Sequence, residues 1–127
     1  MSVETTPAER ATDLAEELGA VITEMDAYQR FVETKQAVEA DDEAQAKIRE
    51  FERVREEFML ARQSGNATND DLRELQTTQQ ELHELPVMSD YLRAQSEIEL
   101  KLQELNHVIS EPLEVDFGEK AGGCCQD

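Results

Sequence analysis

Apolar residues in this chain return at alternating three- and four-residue steps. Ala11, Leu14, Leu18, Val21, Met25, Tyr28 and Val32 form one such series, and Ala44, Ile48, Phe51, Val54, Phe58 and Ala61 a second. Leu72, Leu75 and Leu82 form a third, and Tyr91, Ile98, Leu102, Leu105 and Ile109 a fourth. This spacing lays side chains along one stripe of an α-helix. No segment alternates with the two-residue period of a half-buried strand, and there is no longer repeat. The fold class is therefore all-α: an antiparallel helical bundle of about four to five helices. With four phenylalanines, two tyrosines and no tryptophan, single stripes of this kind give one chain a thin core. Helices left so lightly covered finish burying their stripes against another subunit, so we expect the bundle to be completed by oligomerisation.

The punctuation between stripes agrees with this reading. Thr6-Pro7-Ala8-Glu9 has the order of an N-cap, a first-turn proline and a capping-box glutamate. Thr23 with Asp26 offers a second start, which would divide the first stretch near Ile22. Asp41-Asp42 places two carboxylates where a helix dipole favours them, and Gly65 is placed for a left-handed C-terminal cap. Thr68 and Asp71 repeat the capping pair, Pro86 stops or kinks the chain, and Pro112 closes the last helix. Residues 1–113 read as one helical domain and 114–127 as a flexible tail. Met25, Met59 and Met88 read as core fillers, and His83 and His107 as surface or boundary residues.

Thirty acidic residues against twelve basic ones give a formal charge of −18, and only four of the basic residues are lysines. Such a charge repels itself in dilute buffer and is tolerated when salt screens it. An acidic, lysine-poor surface suits a protein of concentrated salt, although an ordinary acidic helical protein would share it. Nucleic-acid binding draws on lysines and arginines that neutralise phosphates. Here the densest basic cluster, Arg49, Arg53 and Arg55, is interleaved with Glu50, Glu52, Glu56 and Glu57. No direct nucleic-acid partner and no anionic membrane partner is expected. The N-terminal residues lack the basic and apolar parts of a signal peptide, which points to the cytoplasm.

The two cysteines, Cys124 and Cys125, stand together behind Gly122-Gly123. Adjacent cysteines pair poorly as a disulfide, because one peptide holds their α-carbons too close. A cytoplasmic thiol pair outside any apolar stripe is instead available to a metal, a cluster or a partner thiol. Iron–sulfur and structural zinc sites commonly want four ligands, and one chain offers two, so such a centre would be shared between subunits. A catalytic dithiol usually sits in a Cys-x-x-Cys turn at a helix start, where its thiolate is favoured. This pair has glycines before it and Asp127 after it, which argues against an enzyme.

The order of these features resembles the YlbF/YmcA (Com_YlbF) family of small helical regulators. The resemblance runs from Leu18-Gly19 and Val21-Ile22 through Tyr28-Gln29-Arg30-Phe31 and Asp42-Glu43-Ala44 to Ile48 and Phe51. It continues through Gly65, Leu85-Pro86-Val87 and Tyr91-Leu92-Arg93-Ala94-Gln95 to Val108-Ile109 and Pro112-Leu113, covering residues 10–113. The chain is also similar to members from halophilic archaea that finish in a Cys-Cys pair. The resemblance implies a non-enzymatic regulator or adaptor that works in complexes of related helical subunits. In some of those complexes cysteines hold iron–sulfur clusters, and here only Cys124 and Cys125 match such ligands.

The expectation is thus a regulatory adaptor that assembles with itself or related helical subunits and presents its cysteine pair to a metal centre or partner thiol. Two alternatives from other classes stand beside it. One is a small thiol-redox or sulfur-carrying enzyme using the same cysteines; the other is a purely structural helical oligomer with an inert tail.

Overall fold

A computed structural model describes residues 5–118. Five helices occur in chain order: α1 Pro7–Ile22, α2 Asp26–Ala40, α3 Asp42–Gln63, α4 Asn69–Glu84 and α5 Pro86–Ser110. The described residues contain no strand.

The junctions explain the architecture. Between α2 and α3 only Asp41 leaves the helical conformation (φ −94°, ψ 113°), and its carboxylate accepts the Ala44 N–H at 2.8 Å. Between α4 and α5 only Leu85 does so (φ −63°, ψ 130°). Leu85 precedes Pro86, whose ring disfavours helical geometry in the residue before it. The longer α3–α4 connection turns at Gly65, whose φ of 77° is the left-handed conformation that glycine adopts most easily.

These connections produce a long hairpin with two arms, each interrupted once. α2 packs along α5 and α3 along α4; the α2–α3 and α4–α5 contacts are less extensive. Val38 and Ala44 flank the first interruption, Leu82 and Met88 the second, and the four form one buried cluster. Ile48, Phe51, Leu85, Val87 and Tyr91 close around it. The two interruptions therefore lie side by side, and the core is densest where helical hydrogen bonding is broken.

Elsewhere the section is only two helices wide, and each of α2 to α5 buries one stripe. Ala27, Val54, Ala94 and Ile98 complete the buried apolar set, and Thr78 is the buried polar residue among those described. The Thr78 hydroxyl donates to the Glu74 carbonyl at 2.7 Å, which lets it occupy the apolar stripe of α4. Phe31 and Tyr91 join α2 to α5, with ring centroids 5.6 Å apart.

Three details differ from the sequence expectation. The chain does divide after Ile22, but Thr23 does not cap α2. Its hydroxyl donates backwards to the Ala20 carbonyl at 2.6 Å, and Met25 takes the cap position without a side-chain bond. Met88 is buried, whereas Met59 on α3 is exposed. Leu72 and Leu102, placed on stripes by their spacing, are also exposed, because the facing arm does not cover them.

Candidate interaction surface

The first helix is the exception to the pairing. α1 begins with a complete capping box, in which the Thr6 hydroxyl accepts the Glu9 N–H and the Glu9 carboxylate accepts the Thr6 N–H. Yet none of its residues is buried, and it packs along no other helix. Leu14 is 59% exposed and Val21 52%. The stripe expected from the sequence is present, but no other helix of the chain covers it.

That stripe forms one wall of an open groove of about 540 Å³. Ala11, Leu14, Ala15, Leu18, Gly19 and Ile22 come from α1; Ile109 and Phe117 close the other side. No charged side chain lines it. Phe117 arrives there because the chain turns back after α5. The Phe117 N–H donates to Ser110 Oγ at 2.8 Å, and the Asn106 amide donates to Asp116 at 3.4 Å. Residues 111–118 are thereby held against the end of α5, and Gly118 lies close over Asn106.

Apolar exposure is not confined to this groove. Leu100, Leu102, Val108, Leu113 and Val115 all face solvent on or just after α5. Most of the exposed large apolar residues of the described chain thus belong to α1, to the C-terminal half of α5 and to residues 111–118. A second groove, of about 640 Å³, lies between α2 and α5 and includes Met25, Arg30, Glu97 and Leu100. Four of its charged side chains pair with each other: Arg30 meets Glu97 at 3.0 Å, and Lys101 meets Glu104 at 3.5 Å. The hydrogen bonds and charge of Glu97 hold the Arg30 guanidinium more firmly protonated than usual.

The cysteine pair expected to hold a metal, Cys124 and Cys125, lies outside the described residues. Among the described residues no three or more His, Asp, Glu or Cys side chains gather as a metal site. His83 and His107 are exposed in the last turns of α4 and α5. Among the described residues no helix is long and apolar enough to cross a membrane. The sequence pattern marks Leu14 and Leu18, but it gives no sign of Phe117 as a groove wall. Gly19 was likewise missed as part of the groove floor, where the four-residue spacing of Ala11, Ala15 and Gly19 was the available signal.

The described residues thus define an all-α, paired-helix protein with open apolar faces. Residues 11–114 match the family described as control of competence regulator ComK, YlbF/YmcA, and the chain belongs to that family. It is 31% identical over 103 residues to a UPF0342 protein of Streptococcus thermophilus, covering 80% of this chain and 92% of that one. A UPF0342 protein of Streptococcus sanguinis is 25% identical over the same length, with the same coverage. No solved structure matches the chain.

Proposed function

We propose that this protein is a non-enzymatic regulatory adaptor. In this reading its helical body assembles with itself or with related helical subunits in the cytoplasm. Its Cys124–Cys125 pair then presents thiols to a metal or iron–sulfur centre, or to a partner thiol. The observation that carries the reading is the open apolar face on α1 and the end of α5, set on a chain of charge −18. An open apolar groove on a chain otherwise so strongly solvated marks a site for protein contact. Membership of a family described by the control of a regulator supports the same reading.

The donor set sets a condition on the metal. Two thiols are half of a four-ligand site, so an iron–sulfur cluster or zinc ion would need two chains, or one chain and a related subunit.

The test is anaerobic purification of the full chain in molar salt, with a visible spectrum, elemental analysis and a thiol–disulfide exchange assay. Wild type is compared with a Cys124→Ser/Cys125→Ser variant. The adaptor reading expects no turnover, with metal or a thiol-linked partner present in wild type and absent from the variant. Catalytic thiol exchange that vanishes in the variant would replace the adaptor with a redox enzyme. Metal-free, partner-free protein of unchanged assembly would leave a structural oligomer with an inert tail.

A further inference from the structure

Residues 111–118 fold back over the end of α5 as a strap whose holding bonds are open to solvent. The Phe117 N–H bond to Ser110 Oγ and the Asn106 bond to Asp116 are both exposed, the second at 3.4 Å. Phe117 itself stays 45% exposed. Gly118 closes over Asn106 so tightly that a β-carbon there would stand 2.7 Å from Asn106 Oδ1. That oxygen is buried without a hydrogen-bond partner, so opening the strap would return it to water. A segment held in this way opens at low cost in free energy. Residues 115–118 also lie beyond the family match, which ends at 114.

Charge sets the direction in which the strap moves. α1 carries Glu9, Asp13, Glu16 and Glu17 against Arg10, and the strap carries Glu111, Glu114 and Asp116 with no basic residue. Both sides of the groove are therefore net negative. Its lining is apolar: Leu14, Leu18 and Ile22 on α1, with Ile109 and Phe117 opposite. The 16 residues of α1 make a helix about 24 Å long. In 0.01 M salt charges interact over about 30 Å, a range that spans this whole helix. In molar salt the range shrinks to about 3 Å, and the apolar contact is left to decide the geometry.

We propose that residues 111–118 are a salt-responsive strap. With charge screened, the strap seats Phe117 opposite α1 and the groove has two walls. In dilute salt repulsion parts α1 from the strap, and the apolar face loses the wall that Phe117 supplies. The proposal rests on the adaptor reading and specifies how its apolar face is regulated.

The full chain has no tryptophan, so Phe117→Trp reports on this wall alone. Under reducing conditions it is followed from about 0.01 M to molar sodium chloride. Tryptophan emission should shift to the blue and acrylamide quenching should fall as salt rises, with helical circular dichroism unchanged. In wild type, salt should slow amide exchange in α1 and residues 111–118 more than at the buried Ala94 and Ile98 of α5. Glu111→Gln/Glu114→Gln, at two exposed positions, should move the transition to lower salt. Gly118→Ala should move it to higher salt, because the added β-carbon forces Asn106 to turn away from Asp116. Emission indifferent to salt, a transition that coincides with loss of helical signal, or a midpoint unmoved by the charge substitutions would overturn the strap. A midpoint that moves with protein concentration would overturn it as well, by assigning the change to association. Each of these outcomes leaves the adaptor reading to the metal and thiol assays, which do not depend on the strap.

Discussion

Arg30 on α2 and Glu97 on α5 meet through two hydrogen bonds, Nε to Oε1 at 3.2 Å and Nη2 to Oε2 at 3.0 Å. The pair bridges the two helices that run together along one half of the hairpin. Both side chains remain about half exposed, so solvent and salt screen what the geometry offers. Glu97→Gln should therefore lower Tm slightly in dilute buffer and have no measurable effect in molar salt. The whole protein should respond in the opposite direction. With a charge of −18, its Tm should rise as salt is added, and thermal melts of both proteins across a salt series separate the two effects.

Ala44 has no exposed surface and sits in the cluster between the two helix interruptions. Ala44→Leu would force extra volume into a packed joint, at a cost of about 1–3 kcal/mol. Ala46, two residues further on, faces solvent, and Ala46→Leu should stay within about 0.5 kcal/mol of wild type. Denaturant titrations at fixed salt check the contrast.

The capping boxes at Thr6 and Thr68 have the same hydrogen bonds, yet they should not have the same consequences. α4 is packed against α3, so Thr68→Ala should reduce global stability by about 1 kcal/mol. α1 buries nothing in the single subunit. Thr6→Ala should therefore speed amide exchange at Glu9 and Arg10 without moving the global unfolding midpoint.

Glu9 gives that helix start a pH dependence. The hydrogen bond from the Thr6 backbone N–H, followed by the bond with the Thr6 side chain, holds its carboxyl below the usual carboxylate value. A folded value below the unfolded one means that the stabilisation is fully present above the unfolded pKa. It is lost as pH falls through the lowered folded value. Exchange protection over the first turn of α1 should accordingly fade only on acidification, and in Glu9→Gln it should lose that pH response.

The sequence displayed the helices because local chemistry decides them. Thr6, Asp41, Gly65, Thr68 and Pro86 each act within a few residues, and each performs the expected local task. Pairing was harder to read, since it depends on which arm lies opposite. Met59 and Met88 have the same chemistry and opposite environments for that reason. Leu72 and Leu102 likewise keep the helical period yet remain uncovered. Thr23 misled because a hydroxyl can satisfy a preceding carbonyl as readily as a following N–H. The groove was half visible. Its α1 wall was written as a stripe, but Phe117 joins it only through the turn back to Ser110, a contact no periodicity contains.

That turn has a consequence for the thiols. Phe117 is a wall of the groove, and Cys124 lies seven positions beyond it in the chain. Seven residues of polypeptide reach at most about 25 Å, so Cys124 is tethered within that radius of Phe117, with Cys125 one residue further along. Any partner seated in the groove would therefore lie within reach of these thiols, and a thiol on that partner would meet them at a raised local concentration.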